Sequence, residues 1–325
     1  MFWADSTMRD EPLFFVDRGA GVPSASLLFA PEQLIACRSG MGDVDYEAGR
    51  DFSLDPRSGS MRLLAGSRVP ITTLDERQSA PDLEDLFHRR QVHVSYTHRP
   101  GQWTGYVPRF NGGNLPRTLA RLRAGALSIA VAGDSISEGY SASGFHGVPP
   151  HQPPYPALVA TGLSDTFGSA ITLHNLAVAG WTSDNGRWDT ERITATNPDL
   201  VIVAYGMNDA SYAAAEDFAA NIEAIRQQVL AARPDAEFVL VSPMLPNPEW
   251  DYAVMERFPV YRDALAGLCT LGTVLADVTA VWSGLLTRKT IDDLTGNGIN
   301  HPNDFGHRVY AQTILALLVE DITRS

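Results

Sequence analysis

Four residues in this sequence are of the types that acyl transfer uses. Ser135 follows Gly133 and Asp134 at the end of an apolar run in AVAGDSISEGY, and Gly180 ends NLAVAG. Asn208 stands in AYGMND, and His301 in GNGINHPNDFGHR. A serine hydroxyl is a weak nucleophile until a neighbouring base takes its proton, and histidine titrates in the useful range. The carbonyl oxygen under attack gains negative charge, so donors must already point at it. Ser135 alone decides nothing, because Ser, Asp and Gly are common where a strand turns into a helix, and a serine there is more often a cap. Asn208-Asp209 also reads as a turn, and Asp134 as structural.

The surrounding elements must bring these four positions together. From about residue 116 onward apolar strands alternate with amphipathic helices: LSIAVAG, YPALVATGLSDTF, AITLHNLAV, a helix near 185–196, DLVIVAY, a helix at 213–232, EFVLVSP, a helix at 256–271, TVLADVT and a terminal helix. In the 213–232 segment Phe218, Ile222, Ile225 and Val229 form one apolar face. The strands are almost continuously apolar, which implies burial on both sides and a parallel sheet with helices on both faces. Ligands of such sheets bind beyond the carboxyl ends of the strands, where all four residues fall. Residues 1–115 differ. Their short apolar bursts are broken by Gly, Pro and Asp; QVHVSYTH alternates with the period of a half-buried strand, while SASLLFA and MRLLAGSRVPITTL are weaker strands. That texture predicts an antiparallel, jelly-roll-like β-sandwich. RFNGGNLPRT reads as the linker, giving domains at 1–115 and 116–325.

With these blocks in view, the chain resembles the SGNH hydrolases, also called the GDSL esterase/lipase family. GDSIS resembles the nucleophile block, NLAVAG the second, GMND the third and HPN the last. The resemblance covers roughly residues 125–325 and implies a three-layer α/β/α domain with a parallel sheet. It implies Ser135 as nucleophile and His301 as base. The oxyanion hole would be the Ser135 amide, the Gly180 amide and the Asn208 side chain. The family usually has an aspartate three residues before the histidine, and Gly298 occupies that position. Three readings follow: Asp293 reaches the ring; an amide or backbone carbonyl accepts its proton, leaving a Ser-His dyad; or an acid arrives from elsewhere, with Asp304 available although it reads as a helix cap together with Asn303.

An accessory sandwich before such a domain is similar to the arrangement of some carbohydrate acetylesterases. The loop SASGFHGVPPHQPPYP follows the nucleophile and could wall the pocket, so His146, His151, Tyr155 and Trp181 are candidate sugar contacts. The expected activity is hydrolysis of short acyl esters, acetyl above all, on a small molecule or oligosaccharide, through an acyl-enzyme and without metal or cofactor. A general short-chain carboxylesterase or thioesterase is one alternative. A non-catalytic carbohydrate-binding protein on a degenerate hydrolase scaffold is another. The net charge of −13 argues against a nucleic-acid partner. No apolar stretch is long enough to span a bilayer, and the first residues do not read as a signal peptide, so a cytoplasmic protein is expected. An exposed sandwich edge would allow self-association. Cys37 and Cys269 lack metal-ligand spacing, His93 and His98 are rejected as a metal pair, and His174 reads as a core or rim histidine. Lys289, the lone lysine, reads as composition bias.

Overall fold

The computed structural model describes residues 1–19 and 21–320. In chain order the first segment holds β1 (Thr7–Leu13), β2 (Val16–Asp17), β3 (Ser24–Ser26), β4 (Pro31–Ser39), β5 (Phe52–Leu54), β6 (Ser60–Leu63), β7 (Thr72–Thr73), α1 (Leu74–Ser79), α2 (Leu83–Arg90) and β8 (Val92–His98). β8 lies between β1 and β4 in an antiparallel sheet, β6 lies between β3 and β5 in another, and β2 pairs with β7. The two helices depart from the all-strand expectation. Both are short and polar: α1 buries no residue and α2 buries only Phe87, so neither writes an apolar stripe into the sequence. Their starts are nonetheless well specified. Thr73 and Glu76 form a capping box, and the Asp82 side chain accepts from the Asp85 amide.

The second segment runs α3 (Pro116–Arg123), β9 (Ala126–Gly133), α4 (Ser135–Glu138), α5 (Tyr155–Phe167), β10 (Ala170–Asn175), α6 (Ser183–Trp188), α7 (Thr190–Ala195), β11 (Leu200–Ala204), α8 (Ala215–Ala232), β12 (Glu237–Val241), α9 (Arg257–Gly267), β13 (Thr273–Ala276), α10 (Val278–Leu285), α11 (Ile291–Leu294) and α12 (Asp304–Leu318). All five strands are parallel, in the order β10-β9-β11-β12-β13. β11 and β12 are buried at every residue, which requires cover on both faces. α5 packs with α12, and α8 with α6, α7 and α9. The chain leaves β9 for the edge strand β10 and then crosses to β11 on the other side. The carboxyl ends of β9 and β11 therefore flank the point where strand order reverses, the usual crevice of such sheets.

The two segments share one hydrophobic core, in which Phe15, Phe29 and Tyr96 belong to the same buried cluster as Trp282 and Leu285. Lys289 fastens the seam. Its side chain is fully buried, and its Nζ donates to Glu11 Oε1 at 2.7 Å, Pro12 O at 2.9 Å and Ser26 O at 3.0 Å. Glu11 also accepts from the Leu28 amide and the Tyr96 hydroxyl, so every charge buried here has partners. A residue read as composition bias thus has a structural role. Among the described residues no helix is long and apolar enough to cross a membrane.

Candidate active site

β9 ends at Gly133, and the Asp134 side chain caps the following turn by accepting from the Ile136 amide at 3.0 Å. Burial pushes the Asp134 carboxyl up to about 7. Capping by Asp134 leaves Ser135 at the first helical position with its hydroxyl uncommitted to the backbone. Ser135 Oγ lies 2.9 Å from His301 Nε2. Two of the four positions, 166 residues apart in sequence, are thus within hydrogen-bond reach. A neutral imidazole accepting at Nε2 must carry its proton on Nδ1, and the group facing Nδ1 fixes that tautomer.

That group is Glu84 of α2, whose Oε1 lies 3.1 Å from His301 Nδ1. Asp293 does not reach the ring. Its carboxylate accepts from the Phe14 amide at 2.9 Å and from the Thr290 amide and hydroxyl, both at 2.9 Å, closing a capping box at α11 and tying it to the end of β1. Asp304 is likewise engaged, accepting from the Ser143 amide, while Asn303 caps α12. The acid comes from elsewhere, from the first segment. Gly298 shows why. Its φ is +67°, and a Cβ there would meet the Phe87 ring at 2.6 Å. Phe87 stacks face to face on Phe14, with ring centroids 4.1 Å apart, and fills the space a side chain at 298 would need. Glu84 lies one turn before Phe87 on the same helix face, so the helix that excludes a loop acid also brings one.

Glu84 Oε1 also accepts from the Ser141 hydroxyl at 3.0 Å, and His146 Nε2 lies 2.7 Å from Oε2. His146 Nε2 is 3.0 Å from the Ser141 amide as well. One nitrogen cannot both donate and accept here, and the shorter contact to a carboxylate assigns the proton to Nε2. Burial on its own would push the Glu84 carboxyl up, but the hydrogen bond from His301, the charges of His146 and His301, and the Ser141 hydroxyl hold it below its ordinary value. The result is an ionised acid facing an imidazole that can accept the serine proton, and Tyr140 packs at 5.2 Å over that imidazole.

The three positions expected to form an oxyanion hole follow the ends of β9, β10 and β11. Gly180 has φ +81°, a conformation that disfavours any side chain, with open space where a Cβ would be. Among the described residues no protein group accepts from the Ser135 or Gly180 amide. Asn208 Nδ2 donates one hydrogen to Trp181 O at 2.9 Å, which orients the carboxamide and leaves its second hydrogen available. Of the expected sugar contacts, Trp181 is half-buried beside Gly180 with Arg192 over its ring at 5.8 Å. Tyr155 is wholly buried and its hydroxyl bonds to Ser137, so it does not face a ligand. His151 is exposed on its loop and no contact links it to Ser135 or His301, whereas His146 joins the centre through Glu84. Among the described residues no cluster of three or more His, Cys, Asp or Glu side chains is placed to hold a metal.

Residues 131–309 match the GDSL-like Lipase/Acylhydrolase family. No curated protein matches the chain. Among solved structures, a two-domain esterase (CEX) active on acetylated mannans, co-crystallised with mannopentaose, is similar at 24% identity and a TM-score of 0.52. The match covers 68% of this chain and 57% of that one, so this chain spans little more than half of that esterase. Axe2, an acetylxylan esterase from Geobacillus stearothermophilus, is 20% identical with a TM-score of 0.49, covering 62% of this chain and 98% of that one. At 24% identity the likeness to the two-domain esterase shows the fold.

Proposed function

Because this chain belongs to the GDSL-like lipase/acylhydrolase family, we propose that it is a serine esterase removing short acyl groups, acetyl above all, from carbohydrates. The observation that carries the mechanism is the unbroken path Ser135–His301–Glu84. His301 takes the Ser135 proton at Nε2 as Oγ attacks the ester carbonyl. Glu84, ionised and bonded to Nδ1, orients the ring and stabilises the imidazolium that forms. The amides of Ser135 and Gly180 and the Asn208 carboxamide receive the negative oxygen, and loss of one such donor typically costs about 3–4 kcal/mol of transition-state stabilisation. The imidazolium then protonates the leaving alcohol, giving an acyl-enzyme that water hydrolyses by the same route in reverse.

Residues 116–325 form the catalytic domain in this reading, and residues 1–115 an accessory β-sandwich that also contributes the triad acid. The activity of the similar two-domain esterase on acetylated mannans supports a carbohydrate ester as substrate. Acetate release from acetylated manno- and xylo-oligosaccharides, beside p-nitrophenyl acetate and butyrate, tests this with wild type, Ser135→Ala and His301→Ala. Release from the sugars that vanishes in both variants is expected. Turnover of the aryl esters alone would make the protein a general short-chain esterase.

A further inference from the structure

A groove of about 480 Å³, lined in part by Arg77, Gln78, Asn247, Glu249, Trp250 and Asn297, lies outside the contacts of the proposed catalytic residues. Its walls are nonetheless supports of His301 and Glu84. On one side the Asn247 amide donates to Ile299 O at 2.7 Å and its Nδ2 to Gly298 O at 2.9 Å, which pins the groove to the loop that carries His301. Outside the lining, Tyr252, which packs on the lining residue Trp250, accepts at its carbonyl from Ser211 Oγ at 2.8 Å, three residues after Asn208. The other wall holds Leu83, the neighbour of Glu84, together with Arg77 and Gln78 of α1. A ligand in this groove therefore lies along the junction of the histidine loop and the helix that carries Glu84.

The lining chemistry is specific. Trp250 is half-buried with its ring against Tyr252, centroids 5.6 Å apart, and Tyr252 is 55% exposed. Aromatic rings kept at the surface beside carboxamides suit the apolar face and hydroxyl rim of a pyranose. One guanidinium, Arg77, faces two lining carboxylates, Glu249 and Asp251. Arg77 is already tied to Asp292 at 2.9 Å and to Gly298 O at 3.1 Å, so no cationic group is left to balance an acidic sugar. Like-charge contact would repel uronates and sulfated glycans.

We propose that this groove is a glycan-binding subsite for a neutral pyranose chain, with Trp250 as its stacking platform and the exposed Tyr252 ring beside it extending that surface, holding the polymer while one acetyl group reaches Ser135. The proposal rests on the carbohydrate-esterase reading. It is tested by calorimetric titration of unsubstituted mannopentaose, xylopentaose and oligogalacturonate into Ser135→Ala, alone and combined with Trp250→Ala or Tyr252→Ala. In parallel, kcat/KM on acetylated oligosaccharide relative to p-nitrophenyl acetate is measured in the active single variants. Binding of a neutral pentaose, little or none of the oligogalacturonate, and a fall of tenfold or more in both affinity and that ratio on losing Trp250 are expected. Trp188→Ala, which removes a 77% exposed tryptophan on α6, should leave the ratio as it is. Unaltered affinity and ratio in both aromatic variants, with acetate still released, would overturn the groove and leave the esterase intact. Pentaose binding that needs Trp250 but comes without acetate release would overturn the esterase reading and keep the groove. No binding by any glycan would overturn the groove, and acetate release by the wild type would then decide the esterase reading separately.

Discussion

At the residue, the question is what an acid does for a histidine when it comes from a different part of the chain. Glu84→Gln keeps size and a hydrogen-bonding group but removes the charge that fixes the Nδ1–H tautomer. Its kcat should fall on the order of 10²- to 10⁴-fold while Tm moves little, by steady-state kinetics and calorimetry. Adding the family's loop acid back should not help. Glu84→Gln/Gly298→Asp places a Cβ 2.6 Å from the Phe87 ring at a φ of +67°, so the double variant should be less stable than Glu84→Gln and no more active. Recovery of activity there would mean that α2 yields easily. His146 acts one step further back, as a positioning residue. Its Nε2 donates to the ionised Glu84, so His146→Ala removes a group that favours the charged form and raises the Glu84 pKa. The acid limb of the kcat profile should move to higher pH, while a merely structural role would lower kcat at all pH values alike.

At the level of elements, the five parallel strands and most helices of residues 116–325 were legible because their apolar periods are strong. The helix expected near 185–196 is two short ones, broken around Asp189, and α10 and α11 carried no distinct signal. Ser135, Gly180 and Asn208 were expected from short blocks that follow β9, β10 and β11, and His301 from the HPN block on the loop before α12. Glu84 was not. It belongs to LEDLFHRR, an exposed-looking charged helix inside a region whose clearest signal, QVHVSYTH, is a strand, and nothing local distinguishes it from Asp85. Only tertiary contact selects it, and Phe87 makes that contact. Phe87→Ala removes the ring that stacks on Phe14 and abuts Gly298. We expect a loss of about 3–5 kcal/mol in denaturant unfolding. We also expect a kcat deficit approaching that of Glu84→Gln, since α2 loses the anchor that aims its carboxylate. Normal kcat in a folded Phe87→Ala would show that other contacts hold the helix, such as Gln91 Nε2 on Thr295 O at 2.7 Å.

On the scale of the whole molecule, buried titratable groups set the response to acid. Burial pushes His93 and His307 down to about 4 from an ordinary 6.5, so between those values the unfolded chain takes up protons that the native chain refuses. Their contribution is present above about 6.5 and is lost as pH falls. Asp134 works oppositely: with its carboxyl raised to about 7 from 3.8, the native chain holds the extra proton, and stability falls as pH rises across that window. Asp209 and Asp292, whose carboxyls burial also raises, act in the same sense as Asp134, so His93→Gln, which removes one of the two opposing groups, should shift the slope of Tm against pH between 4 and 6.5 toward negative values. The seam answers differently. Lys289→Met would leave the Glu11 carboxylate buried without its cation, at a cost of about 3–5 kcal/mol by calorimetry. Lys289 is the single lysine of the sequence, and its buried Nζ is closed to amine-directed reagents while the fold is intact. Position 289 is therefore a silent tag: its acylation, read by mass spectrometry against time, would clock how often the acid-bearing segment lifts away from the serine-bearing one.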